Sequence, residues 1–188
     1  MACNLTKGRT VPCRNKSGGI KTIYFADFGT LGALTISSEE ITALAGTPTF
    51  FQYDVKGAGN SLDQVINSSV DNGTTFTEQT VNLVLPKQSK EDLVQLKLLS
   101  VSRPHIVVSS YAGEAFMVGL EHGCSLVTGN ISTGVAMGDL SGYTLQFQAM
   151  VVSAAPFLEG STTSNAFAGS GFSGVTCLLY TSPSPRDS

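Results

Sequence analysis

Apolar and polar residues alternate along much of the chain, the pattern of β-strands with one buried face. The clearest case is residues 143–151, where Tyr, Leu, Phe and Ala at odd positions alternate with Thr and Gln. Shorter segments rich in β-branched and aromatic residues predict further strands at 20–28, 49–56, 105–111, 114–121 and 125–131.

Residues 62–70 and 74–85 predict a long hairpin, since they flank Asp71-Asn72-Gly73. Asn-Gly favours a tight type I′ turn, in which both central residues have positive φ. The second strand alternates at its far end, but its first half is polar on both faces except at Phe76. We therefore expect the tip to project from the core, and such an arm needs neighbours, for example other copies of the chain.

One helix is predicted near residues 89–100. Ser89 is a suitable N-cap, acidic residues follow in the first turn, and leucines at 93, 96 and 99 lie close to one face. Pro104 marks its end. A second, short helix is expected over 40–44, where Ser37 or Ser38 could act as the cap.

These elements predict a mainly β fold, an antiparallel β-sandwich or barrel with one packed α-helix and a long projecting hairpin. We expect an extended N-terminal arm at 1–19, a single domain at 20–152 and a flexible segment at 153–176. The last dozen residues, 177–188, resemble the translation of a sequencing adapter, so they are predicted to be a non-native tail.

Composition narrows the function classes. Only 13% of the 188 residues are charged, the net charge is −3 and 41% are hydrophobic. These values argue against charge-rich disorder and against a basic surface for nucleic acid. No apolar run is long enough for a membrane span. So few charges suggest a surface that is covered in use, by other subunits.

Candidate catalytic residues are sparse. His105 and His122 lie outside any metal-binding spacing, and four scattered cysteines do not complete one. Asp139 lies in a glycine-containing loop, where it could cap a turn or pair with Arg103. Only a deep pocket that joined His105, Asp139 and Arg103 would favour an enzyme. We expect no enzymatic activity, no metal and no cofactor.

Several longer phrases resemble structural proteins of tailed bacteriophages, and their order is similar to that of tail tube (major tail) proteins. The resemblance covers roughly residues 1–160. The phrases that carry it are MACNLTKGR at 1–9, NGTTFTEQT at 72–80, RPHIVV at 103–108, VGLEHG at 118–123 and MGDLSGYTL at 137–145.

The resemblance implies a β-sandwich subunit that forms hexameric rings, which stack into the tube that carries DNA. It implies that sheets of six subunits join into an inner β-barrel and that arms or loops contact the next ring. The partners would be other copies of the chain and other virion tail proteins, with DNA only passing through the lumen and no membrane. The protein would be located in the virion tail after synthesis in the host cytoplasm.

We expect assembly contacts in the hairpin, in the arm at 1–19 and in the loop at 132–142. The individual candidates are Asp71, Asn72, Gly73, Thr75, Phe76, Glu78, Met137, Gly138 and Asp139. Two alternatives remain open. One is another phage component, such as a capsid decoration, connector or tail terminator protein, and the other is a monomeric ligand-binding β-sandwich.

Overall fold

The computed structural model describes residues 7–11, 13–55 and 58–179. It confirms the predicted fold class, since within this part of the chain two β-sheets are accompanied by a single helix. The elements are β1 (Ile20–Ala26), β2 (Leu34–Ser37), β3 (Glu40–Leu44), β4 (Thr49–Asp54), β5 (Ser61–Ser69), β6 (Thr74–Pro86), α1 (Lys90–Val101), β7 (His105–Ser110), β8 (Ala115–Val118), β9 (Ser125–Ser132), β10 (Gly142–Val151), β11 (Phe157–Leu158) and β12 (Thr176–Leu179).

The strands form an eight-stranded sheet A and a four-stranded sheet B. Sheet A has the order β12-β4-β1-β7-β8-β11-β3-β2, and sheet B has the order β5-β6-β10-β9. All pairs are antiparallel except β11 with β3 and β12 with β4. The main core lies between the sheets, where Ile23, Phe25 and Ile106 of sheet A join the same cluster as Leu83 and Phe147 of sheet B.

Sheet A also has a core on its other face. Tyr24, Phe50 and Met117 alternate with the residues of the first core and are covered by Phe167 and Phe172. Central strands that are apolar on both faces need cover on both. Residues 153–176 supply that cover, which differs from the flexible segment expected from the sequence.

Helix α1 forms as predicted, with Ser89 as its N-cap. The Ser89 hydroxyl accepts a hydrogen bond from the Asp92 backbone N–H at 3.0 Å. Leu96 is its one buried residue, whereas Leu93 and Leu98 are more than half exposed. Much of the predicted apolar stripe therefore faces outward.

The prediction of a helix over 40–44 is wrong, because these residues form β3, which pairs with β2 and β11. Such a short apolar segment has no periodicity that separates helix from strand. The turn that joins β2 to β3 consists of Ser38 and Glu39, with φ values of 54° and 65°. This is the pattern of a type I′ turn, formed here without glycine.

The long hairpin is confirmed, although its turn differs from the expected one. Ser69 pairs with Thr74, so the loop has four residues, and Gly73 at φ 62° is the one among them with positive φ. Strand β10 stops pairing with β6 at Thr77. The hairpin therefore extends beyond the rest of sheet B from Phe76 to its tip.

The ends of the chain lie partly outside the described residues. In the predicted arm, residues 1–6 and 12 lie outside the described residues. Residues 7–11 and 13–19 of the arm are described and exposed. In this part Lys16 forms an ion pair with Glu114. Of the predicted non-native tail, 177–179 belong to β12 and 180–188 lie outside the described part, so its origin stays a prediction.

Candidate assembly interface

Sheet B has two long open edges. In the described structure β5 and β9 each pair with a single neighbour, and they contain nine and eight residues. The edge strands of sheet A have four residues each. Asp63 is the one charged residue of β5, and β9 has none. Long edges with few charges are templates for pairing with another chain.

Apolar side chains accompany both open edges. Val65 and Ile66 on β5, and Val127 and Ile131 on β9, are each more than half exposed. Sequence reasoning missed them, because their position on an edge depends on strand order, which local pattern does not reveal. The lack of charge along both strands was the one signal that could have indicated them.

The outward face of sheet B is mainly polar, with Val65 and Met150 as exposed apolar residues, and it carries no positive charge. No lysine or arginine occurs in any of its four strands. Its side chains bond to one another across the strands, as Gln148 does with Glu78. On β5 and β6, Asn82 donates to the Ser61 hydroxyl at 3.0 Å, and that hydroxyl donates to Asp63 at 2.7 Å.

The predicted assembly residues of the hairpin occupy its exposed end. Asp71, Asn72 and Gly73 form the tip. Thr75 shares a hydrogen bond with the Ser68 hydroxyl at 3.1 Å, and Phe76 remains 39% exposed. Glu78, the last of this group, lies within the part of β6 that pairs with β10.

Asp139 organises the loop between β9 and β10. Its Oδ2 accepts hydrogen bonds from the backbone N–H groups of Ala136 at 2.7 Å and Val135 at 2.9 Å. These two bonds lower the pKa of its carboxyl. The loop holds Met137 fully exposed beside Gly138. Of the two roles considered for Asp139, the structure shows the cap.

The two groups of predicted residues lie at opposite ends of sheet B. The loop precedes Gly142, which pairs with Pro86, and the hairpin tip lies beyond the pair of Val151 with Thr77. Ten residues of β10 separate them, about 30 Å at ~3.3 Å per residue. They therefore form two sites.

His105, Arg103 and Asp139 do not form a catalytic cluster. Buried His105 makes hydrogen bonds through Nδ1 to the Gly119 carbonyl at 2.9 Å and through Nε2 from the Gly29 N–H at 3.4 Å. These partners suit a neutral ring that donates from Nδ1. Burial lowers its pKa, which the bond to Gly119 partly offsets.

Phe28 stacks on the His105 ring at 5.1 Å, and the Arg103 guanidinium lies 4.9 Å from the centre of the Phe28 ring. Arg103 therefore meets an aromatic ring rather than Asp139. His122 is exposed and lies 3.8 Å from Glu121. No group of three or more histidine, cysteine or acidic side chains able to hold a metal occurs among the residues that the structure describes.

Comparison with protein-family models finds no match, and comparison with curated proteins and with solved structures finds no significant match. Among the described residues, no helix is both long and apolar enough to cross a membrane.

Proposed function

We propose that this chain is a virion structural protein, the tail tube subunit of a tailed bacteriophage, which assembles into stacked hexameric rings that form a conduit for DNA. The observation that carries the proposal is the pair of long open edges on sheet B. The resemblance of the phrases at 72–80, 103–108, 118–123 and 137–145 to tail tube proteins supports it independently.

The strand directions of sheet B suit a ring. Its four strands are all antiparallel to their neighbours, so the edge strands β5 and β9 run in opposite directions. When copies are related by rotation about an axis along the strands, β9 of one copy meets β5 of the next in antiparallel orientation. Closing the ring joins the four-stranded sheets into one barrel and leaves no open edge on sheet B.

The outward face of sheet B fits the wall of such a conduit. Proteins hold DNA mainly through lysine and arginine contacts to phosphates. A barrel made from strands without these residues, with Asp63 and Glu78 on its polar surface, would let DNA pass without holding it.

The two ends of sheet B offer surfaces for stacking. The hairpin tip around Asn72 lies at one end and the loop around Met137 at the other, so a ring would present different loops above and below. Rings with complementary upper and lower surfaces can add to one another without limit.

Electron microscopy and light scattering of the full chain test this proposal. We expect rings or tubes, and we expect Val65→Lys or Val127→Lys to prevent them, because a lysine on either edge opposes strand pairing. Val101→Lys is the matched control, since this exposed residue ends α1 and belongs to neither edge strand. A stable monomer at high concentration would contradict the proposal and favour a decoration protein or a ligand-binding sandwich.

A further inference from the structure

The loop at 133–141 is held by hydrogen bonds within it and by hydrogen bonds from Lys87 and Gln88 at its base. Besides the two bonds to Asp139, the Asp139 N–H donates to the Ala136 carbonyl at 3.1 Å. At its base, the Gln88 side chain donates to the Ser132 carbonyl at 2.6 Å and the Lys87 N–H to the Ser141 carbonyl at 2.7 Å. An exposed loop with this many internal bonds is preorganised for binding.

This ordered loop presents two apolar side chains to solvent. Val135 is 103% exposed and Met137 is 109% exposed, so neither packs against any part of the described chain. We call this pair the knob. These side chains gain no hydrophobic stabilisation within their own chain, and they would gain it if another surface covered them.

A groove of complementary chemistry lies between α1 and the β9 edge of sheet B. Leu93 and Leu96 of the helix form one side, and Leu126, Ile131 and Leu145 form the other, around a cavity of about 430 Å³. Gly129 keeps the groove open on β9, because it places no side chain there. The described residues that line it include one charged group, Lys97.

The knob and the groove are complementary in charge as well as polarity. The loop at 133–141 carries a single charge, the Asp139 carboxylate, and the groove carries a single charge of opposite sign at Lys97. Both halves of the contact are present on every copy, whereas the knob does not touch its own chain. A second copy of this chain is therefore the occupant that the surfaces favour.

We propose that Val135 and Met137 of one copy insert into the groove between α1 and β9 of a second copy. This inference rests on the proposed self-assembly and adds to it a specific contact beyond strand pairing. The pairing of a knob with a separate groove joins copies head to tail, which is the contact type that rings and stacks require.

Cross-linking between two differently tagged chains tests the contact directly. Both chains would carry Cys3→Ser, Cys13→Ser and Cys177→Ser. One chain would also carry Met137→Cys and the other Ser100→Cys, since Ser100 lines the groove. We expect a disulfide between the two chains after mild oxidation. Met137→Cys paired with Ser170→Cys, an exposed serine outside the groove, should not cross-link.

A second experiment removes the knob without disturbing the fold. Val135→Ser with Met137→Ser should raise the concentration for half-assembly by at least about tenfold, because two apolar side chains would no longer be buried in the groove. Val94→Ser with Val101→Ser removes two exposed apolar side chains of α1 that do not line the groove, and it should leave that concentration unchanged.

The outcomes separate the two proposals. If the full chain assembles and the knob variant assembles equally well, the knob contact is wrong and self-assembly stands. If the full chain stays monomeric at all concentrations, self-assembly and the knob contact both fail.

Discussion

Sheets A and B differ in how far their faces and edges are covered by the rest of the chain. Sheet A has cores on both of its faces, and its edge strands contain only four residues. Sheet B is covered on one face, and its edges are eight and nine residues long with a single charged residue between them. Sheet A is complete within one chain, whereas sheet B is stabilised on one side only.

This difference suggests separate roles for the two sheets, with sheet A as the stable part of the fold and sheet B as the surface left for assembly. Residues 153–176 contribute Phe167 and Phe172, which cover the second face of sheet A and stabilise it. Nothing comparable in the described structure covers sheet B, and the helix beside it leaves a groove. Substitutions of the same kind should therefore have different effects in the two sheets.

The strongest test of the comparison is Phe167→Ala. Phe167 is buried, and its ring centre lies 4.6 Å from that of Phe50 and 5.3 Å from that of Tyr24. Loss of this ring should lower the free energy of unfolding in urea by about 3–5 kcal/mol. Phe157→Ala, at a position that is 42% exposed, should cost clearly less. A loss of less than about 1 kcal/mol for Phe167→Ala would contradict a core on this face of sheet A.

Two glycines give the next test. A Cβ at Gly171 would lie 1.9 Å from the Thr42 carbonyl oxygen beside sheet A, whereas a Cβ at Gly129 on β9 would meet only side-chain atoms at 3.5 Å or more. Gly171→Ala should lower the free energy of unfolding by about 1–3 kcal/mol, as overpacking does. Gly129→Ala should leave the free energy of unfolding nearly unchanged. A large loss of stability in Gly129→Ala would show that there is no room for a side chain at this position of β9.

The buried His105 predicts acid sensitivity of sheet A. Because burial lowers its pKa, the unfolded chain binds a proton at a higher pH than the folded chain does. Stability is therefore full above about pH 6.5 and is lost as the pH falls through the folded pKa. Urea midpoints at pH 7.5 and 5 measure the loss, which His105→Gln should reduce. Exposed His122→Gln should leave it unchanged, and an identical loss in both variants would exclude His105 as the cause.

The smallest effect is expected at Asp139, in the loop at the end of sheet B. Asp139→Asn should leave global stability nearly unchanged and should speed hydrogen exchange at the amides of Val135 and Ala136, which lose a charged acceptor. Asp71→Asn, at the opposite end of the sheet, is the control and should leave those amides unaffected. Unchanged exchange in Asp139→Asn would mean that the carboxylate does not hold the loop.

The sequence predicted correctly those strands and helices whose own residues show a regular apolar pattern or a characteristic cap. The alternation in 143–151 gave β10, and Ser89 with the acids after it gave the start of α1. The segment 40–44 failed because β3 depends on hydrogen bonds to β2 and β11 rather than on its own periodicity. Phe167 and Phe172 have no periodic neighbours, so their place over sheet A was not visible in sequence.

The surfaces of the candidate interface also differ in how visible they are in the sequence. The tip at 71–73 and the loop around Asp139 could be located as a turn and a loop because these have characteristic residues, and their role in assembly stays a prediction. The open edges β5 and β9 and the groove beside α1 arise only from strand order and from the position of the helix, which the sequence does not reveal locally.

The position of the cover for sheet A near the end of the chain also orders events during synthesis. Every strand of sheet B precedes residue 152, whereas Phe167 and Phe172 leave the ribosome later, at about 5–20 residues per second. The nascent chain can thus pair the strands of sheet B before Phe167 and Phe172 cover the second face of sheet A. The apolar side chains of Tyr24, Phe50 and Met117 stay exposed until the last part of the chain has been synthesised. During this interval a chaperone would have the largest apolar surface to bind.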